Sequence, residues 1–140
     1  MDCIFCKIIS HEVIAPDIFF EDEKTLVMLD RDWAVKGHTL VISKEHVLNM
    51  SDLSQEDFSH FSRIVQKTEK ALLKSLVKDK SIVLKSGGIV SHFHFHIYPV
   101  LSSMPWDAIH ALFNKEIRNE PGKGESEQLV TDLRVAMTEG

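Results

Sequence analysis

His92, His94 and His96 stand at alternate positions in the run His92-Phe93-His94-Phe95-His96. Successive side chains of an extended strand point to opposite faces. The three imidazoles therefore share one face, while Phe93, Phe95 and Ile97 share the other. Three readings fit this row. The imidazoles can bind a metal, since histidine is a common zinc ligand. They can act at phosphorus, one neutral imidazole attacking while another donates a proton or hydrogen bond to the leaving oxygen. Or they can lie unused on a solvated strand, which leaves the regular alternation with an apolar face without a reason. A second group of reactive side chains opens the chain, where Cys3 and Cys6 form a C-x-x-C and are the only two cysteines. In a reducing compartment that spacing suits a metal or a redox pair better than a structural disulfide. A tetrahedral site needs four ligands, so the pair alone completes nothing. A thioredoxin-like motif would follow a strand, and this one begins at residue 3.

The chain has 140 residues, 44% of them hydrophobic, which fits one domain over residues 1–140 with a core of its own. No internal repeat or low-complexity stretch is visible. A formal net charge of -5 argues against a nucleic-acid partner, which would ask for a basic face, and leaves room for a small anion held by a few placed groups. The apolar runs are too short to cross a membrane, and the opening Met1-Asp2-Cys3 has no signal-like character. The expectation is a soluble, cytoplasmic protein with no membrane partner.

The surrounding pattern supplies elements to hold these groups. Cys3 to Ser10 reads as a short helix or turn. Ile18-Phe19-Phe20 and Leu26-Val27-Met28-Leu29, joined by the acidic turn at Glu21-Asp22-Glu23-Lys24, read as a hairpin. Gly37-His38 opens a third strand, Thr39-Leu40-Val41-Ile42. Ser54, with Asp57 three residues on, is a helix cap, and Phe58, Phe61, Ile64, Val65, Leu72 and Leu76 follow at helical spacing, which predicts a long helix from Ser54 to Leu76. Ser81-Ile82-Val83-Leu84 is a fourth strand, Gly87-Gly88 a turn, and Ile89 to Val100 a fifth strand. Pro105 starts a helix with Trp106, Ile109, Leu112, Phe113 and Ile117 as its buried stripe. Gln128 to Met137 is a terminal helix after the loop Pro121-Gly122-Lys123-Gly124. Strands, helix, strands, helix predict an α+β fold, an antiparallel sheet of about five strands with the long helix across it.

His-x-His-x-His followed by apolar residues resembles the signature of the histidine-triad nucleotide hydrolases and transferases. Cys3-Ile4-Phe5-Cys6-Lys7-Ile8-Ile9 is similar to the opening of the zinc-containing, nucleotide-binding branch of that family. Gly37-His38-Thr39-Leu40-Val41-Ile42-Ser43-Lys44-Glu45-His46 is similar to its central strand and following turn, and Asn49 and Asp52-Leu53 fall at familiar places. The resemblance runs from Met1 to about Val100, and residues 101–140 form an extension that it does not cover.

The resemblance implies a role for each matching residue. His94 is the nucleophile, forming a nucleotidyl-imidazole intermediate that water cleaves to a nucleoside monophosphate. His96 holds a phosphate oxygen or assists the leaving group, and His38 lies beside them. The main-chain carbonyl of His92 fixes the tautomer of His94, as a nucleophilic imidazole requires of some acceptor. Asp30 binds the ribose hydroxyls, and a carboxylate is a good bidentate acceptor for a cis-diol. Ile4, Phe5, Ile8 and Met28 line a slot for the base. Structural zinc is held by Cys3, Cys6, His46 and His92. The substrate is a dinucleoside polyphosphate or nucleoside phosphoramidate, with a purine preferred, and two copies pair as a homodimer. His11, His60 and His110 match no site.

The chain departs from the family pattern at Lys85-Ser86-Gly87-Gly88-Ile89-Val90-Ser91. An asparagine, a longer glycine-rich loop and a glutamine, serine or threonine are usual there as phosphate donors. Ser86, Ser91 or the main-chain N–H groups of Gly87 and Gly88 are the substitutes on offer. Arg31 stands where an apolar residue is usual, Asp32-Trp33 replaces a proline-bearing turn, and Pro99-Val100 lacks a following arginine. These departures bear on substrate and rate. Two other functions stay open: a nucleotide-binding module with little turnover, and a zinc-dependent hydrolase with the histidine strand as metal ligands.

Overall fold

A computed structural model of the chain describes residues 3–114 and 119–139. The elements run α1 (Ile4–Ile9), β1 (Ile18–Glu21), β2 (Thr25–Leu29), β3 (Thr39–Ser43), a 3₁₀ turn (Met50–Asp52), α2 (Gln55–Leu76), β4 (Lys80–Leu84), β5 (His94–Val100), α3 (Trp106–Ala111) and α4 (Glu125–Thr138). The strands form one five-stranded sheet in the order β1-β2-β3-β5-β4, antiparallel throughout. This is the α+β architecture that the pattern predicts.

Register decides which side chains share a face. Val27 pairs with Val41 and Val41 with Phe95, so these point together toward α2. There Phe61 packs on Phe93 at 4.7 Å and on Phe95 at 5.2 Å between ring centroids. Ser54 caps α2 by accepting the Asp57 N–H at 3.0 Å. The helix α4 closes the same layer, burying Leu129, Val130, Leu133 and Met137 with Phe19 and Trp33. On the opposite face, Leu26 pairs with Ile42 and Met28 with Leu40, and α1 covers them with Cys3, Phe5 and Ile8. In the ladder between β3 and β5, Ile42 pairs with His94 and Leu40 with His96. The imidazoles of His94 and His96 therefore share the face covered by α1.

Three boundaries differ from the sequence pattern. β5 begins at His94 and not at Ile89. Gly87 turns the chain at φ +60, and His92 and Phe93 bond to the end of β3 and the segment after it in place of β4: Phe93 N–H donates to the Val47 carbonyl at 2.7 Å and Ser43 N–H to the Phe93 carbonyl at 3.2 Å. α3 stops at Ala111, with Ile109 and Leu112 buried but Trp106 68% exposed at its first position. Trp106 lies tilted against the neighbouring His110, with ring centroids 6.1 Å apart, and Ile117 lies outside the described residues. α4 starts three residues earlier than its apolar stripe, at a chain reversal where Gly122 N–H donates to Glu125 Oε1 at 3.0 Å.

Gly37 fixes the entry to β3, beside His38. It sits at φ +87, where a Cβ would fall against Leu76 Cδ1 inside van der Waals contact and 3.1 Å from Pro99 Cγ. Replacing Gly37 with alanine is expected to destabilise the protein by roughly 2 kcal/mol or more, combining left-handed backbone strain with overpacking. Urea unfolding measures it, and a loss under about 0.5 kcal/mol would show that the strand entry readjusts freely.

Candidate functional site

Two clusters sit side by side on the α1 face. The first joins the N-terminus to the sheet. Cys3 Sγ lies 3.4 Å from His92 Nδ1, Cys6 Sγ lies 3.1 Å from His46 Nδ1 and 3.7 Å from His92 Nδ1, and the two Nδ1 atoms are 3.0 Å apart. His92 is oriented from behind: its Nε2–H donates to the Ser43 carbonyl at 2.5 Å, which leaves the Nδ1 lone pair toward the two sulfurs. Burial pushes the His92 imidazole below its ordinary pKa against the opposing bond to Ser43, and His46 and His94 lower it further, so the ring is neutral, the form that binds a metal. The four ligand atoms lie within 4.8 Å of one another and could hold one ion. Neither cysteine is in a disulfide.

The second cluster lines a cavity of about 290 Å³. Phe5, Leu40, Ile89 and Val90 form its apolar wall, and Asp30, Asp32, Ser86, His94 and His96 its polar groups. His94 is 5% exposed. Its Nδ1–H donates to the His92 carbonyl at 2.6 Å, so Nε2 carries the lone pair. Burial is the main reason its pKa is lowered; the bond to His92 opposes this and the positive charge of Lys85 adds to it. The ring is therefore neutral and able to act as a nucleophile near pH 7.

His96 is held differently. Ala34 N–H donates to His38 Nδ1 at 3.3 Å, so the proton of neutral His38 is on Nε2. His38 Nε2 lies 2.9 Å from His96 Nδ1 and donates to it, which places the His96 proton on its own Nε2. The chain Ala34, His38, His96 thus ends in one N–H donor, while the neighbouring His94 ends in one lone pair. The two rings are 5.0 Å apart between centroids. Asp30 Oδ2 lies 3.6 Å from His38 Nε2. No carboxylate flanks the histidines in sequence; β2 delivers one through the fold. Asp30, His38 and His96 also form a possible ligand set by distance. A His38 whose Nδ1 accepts from Ala34 and whose Nε2 donates to His96 has no lone pair left for an ion, so the geometry fits a hydrogen-bond relay better.

Phe5, Asp30, Ser86, His94 and His96 of the residues singled out in the sequence thus meet at one cavity, with His38 fully buried behind His96. Ile8 and Met28 sit in the buried cluster beneath α1 and do not line the cavity, and Ile4 is 42% exposed. Phe5 instead packs edge-on against His94 at 4.8 Å. Ser91 is exposed and away from the cavity. Sequence reasoning missed Asp32, Leu40, Ile89 and Val90. Strand alternation from His38 through Leu40 was the available signal for Leu40; the loop residues gave none. His11 and His110 stay outside both clusters, and His60 pairs with Asp22 at 2.8 Å. Among the described residues no helix is long and apolar enough to cross a membrane.

Comparison with known proteins bears on the family and the fold. The family model for the HIT domain matches residues 11–101. An uncharacterised HIT-like protein of Methanocaldococcus jannaschii is 39% identical over 101 residues, which are 69% of this chain and 78% of that protein. An adenosine 5'-monophosphoramidase of Schizosaccharomyces pombe is 36% identical over 103 residues, 71% of this chain and 74% of that protein. A hypothetical histidine triad nucleotide-binding protein from Sulfolobus tokodaii superposes with a TM-score of 0.81 at 26% identity, covering 98% of this chain and 93% of its own. A zinc-bound histidine triad family protein from Mycobacterium smegmatis superposes with a TM-score of 0.76 at 28% identity, covering 99% and 95%. These alignments take in the C-terminal helices as well as the sheet. Matched over most of its length in sequence and nearly all of it in fold, the chain belongs to the HIT domain family.

Proposed function

We propose that the protein is a nucleotidyl hydrolase or transferase that acts at the α-phosphorus of purine nucleoside phosphoramidates or dinucleoside polyphosphates. The observation that carries this reading is the pairing of one imidazole lone pair, on His94, with one imidazole N–H, on His96, at a single cavity. His94 Nε2 attacks phosphorus and forms a P–N bond while the bond to the leaving oxygen or nitrogen breaks. His96 Nε2–H hydrogen-bonds to that leaving atom and can pass it a proton. Water then attacks the nucleotidyl-histidine, releasing the nucleoside monophosphate and restoring the imidazole. Asp30 takes the ribose hydroxyls, Phe5 forms a wall for the base, Ser86 donates to phosphate, and Ile4, Ile8 and Met28 support the base end from outside the lining. The relative that is a phosphoramidase supports the bond class. Incubation with adenosine 5'-phosphoramidate should release AMP, and the His96→Ala variant should do so about 10²- to 10⁴-fold more slowly. An inactive parent chain that still binds AMP would favour a binding module instead.

Structural zinc belongs to the same proposal. Zinc–sulfur and zinc–nitrogen bond lengths imply ligand separations of about 3.3–3.8 Å around a tetrahedron, close to those among Cys3, Cys6, His46 and His92. A closed Cys₂His₂ set supplies a tie between α1 and the sheet and takes no part at phosphorus. We take residues 1–140 as one domain, with residues 101–140 completing the layer on α2, and we expect a cytoplasmic homodimer without a nucleic-acid or membrane partner.

A further inference from the structure

The cysteine–histidine cluster faces two ways. Cys6 is half-buried and His46 exposed, while Cys3 is 6% exposed and His92 buried. On its inner side the cluster meets the His94 cavity through two residues. His92 turns its Nδ1 toward the sulfurs, and its carbonyl accepts the His94 Nδ1–H at 2.6 Å. Phe5, which stands between the two cysteines in sequence, packs edge-on against His92 at 5.7 Å and against His94 at 4.8 Å, and lines the cavity. A change at the sulfurs therefore reaches the cavity wall directly.

An accessible thiol with a second thiol in reach is what thiol–disulfide exchange requires. Cys3 caps α1 and Cys6 lies in its first turn, so the helix sets both sulfurs on one side. The four ligand atoms of the cluster lie within 4.8 Å of one another, and both thiols are free. The chain has no other cysteine to divert them. The six residues of α1 are too few to hold a helix alone, so its place depends on what ties it to the sheet.

We propose that Cys3 and Cys6 form a reversible disulfide that detaches α1 from His46 and His92 and slackens the Phe5 wall of the cavity. The oxidant is a low-molecular-weight disulfide such as glutathione disulfide. The Cys6 thiolate attacks one of its sulfurs, forming a mixed disulfide and releasing one thiolate. The Cys3 thiolate then attacks the Cys6 sulfur, which forms the Cys3–Cys6 bond and releases the second thiolate. Two cysteine sulfurs are oxidised, two glutathione sulfurs are reduced, and the leaving thiolates take up the protons that the cysteines gave up. Burial sets the order, since Cys6 is reached from solvent and Cys3 is not. Only His46 and His92 then remain of four ligands, two too few for a closed zinc site. The inference rests on the zinc and nucleotide readings given above for its effects on the ion and on substrate.

The full chain as purified is treated with glutathione disulfide at neutral pH. Intact mass, zinc freed to a chromophoric chelator, amide exchange in Ile4–Ile9 and calorimetric AMP affinity are then compared with the untreated chain. The mass should fall by two hydrogens, mapped to the peptide holding Cys3 and Cys6, with release of one zinc per chain. Amide exchange in α1 should quicken at least about 10-fold, and the AMP Kd should rise about 3- to 30-fold. A reducing dithiol with added zinc should restore all four. Thiols that stay reduced, or a glutathione adduct that accumulates without closing the ring, would overturn the disulfide. Closure that leaves α1 exchange and AMP affinity unchanged, or that abolishes the cooperative melt of the whole chain, would overturn the link to the cavity. A chain that holds no zinc yet closes the disulfide and loses AMP affinity would contradict the zinc reading alone and uphold the switch. A chain that closes the disulfide and frees α1 but never binds AMP would contradict the nucleotide reading alone.

Discussion

Replacing His94 with alanine is expected to lower AMP release from adenosine 5'-phosphoramidate by at least about 10³-fold while leaving the melting temperature within a few degrees of the parent. Both halves follow from where the ring sits. Its Nδ1–H is held by the His92 carbonyl at 2.6 Å and its environment keeps it neutral, so the lost group is the lone pair proposed to attack phosphorus. His96, His38 and Asp30 remain in place, yet the bond-forming atom is gone. The side chain is buried, but it borders the cavity. Truncation therefore enlarges a space that water already reaches and does not seal a void in the core, which limits the stability cost. The freed His92 carbonyl can accept from water there. Steady-state release of AMP measured beside a thermal melt tests the pair of expectations. A variant that keeps more than about a tenth of parental turnover places the nucleophile elsewhere.

The second large effect is on stability. The Cys6→Ser variant is expected to lose its zinc and to be less stable by roughly 3 kcal/mol or more, since metal binding energy is folding energy in a site that the unfolded chain does not preform. For a chain of this size that corresponds to a fall in melting temperature of roughly 6–12 °C. The element released is α1, whose Phe5 and Ile8 cover Leu26, Met28, Leu40 and Ile42. Because Phe5 also lines the cavity, KM should rise while the residual kcat stays closer to the parent's. Metal content by elemental analysis distinguishes the two clusters. Zinc that is lost from Cys6→Ser and kept in His96→Ala belongs to Cys3, Cys6, His46 and His92. The opposite result would move the ion to Asp30, His38 and His96 and revive metal-dependent hydrolysis.

Much of this was legible in the residues because two periodicities separate cleanly. Short apolar runs at Leu26 to Leu29 and Thr39 to Ile42 and the alternation of the histidine run mark strands, and the 3.6-residue spacing from Phe58 to Leu76 marks the helix across them. The apolar face of Phe93, Phe95 and Ile97 meets α2 as that alternation requires. The reach of β5 was not legible. His92 keeps the alternation of its neighbours, but its ring is turned by the Ser43 carbonyl and the two sulfurs, and no ladder partner holds residues 89–91. Contacts across the sheet were equally hidden. Asp30 reaches His38 because β2 pairs with β3, and His38 meets His96 because β5 lies on the other side of β3, an order of strands that spacing along the chain does not encode. The base end was read too literally: in the short helix α1, Phe5 turns toward His94 while Ile8 stays in the core and Ile4 faces out. The role of α4 lay beyond any motif, because Leu129, Leu133 and Met137 acquire meaning only against Phe19 and Trp33.

The most direct measurement is the mass of the intact chain after brief mixing with adenosine 5'-phosphoramidate or a diadenosine polyphosphate and quenching in base, where a phosphorus–nitrogen bond to histidine is longer lived than in acid. The expected result is an adduct of one AMP that maps to His94 and disappears in the His94→Ala variant. Rapid turnover with no adduct at any time point, or an adduct that persists when His94 is replaced, would contradict covalent transfer through this residue.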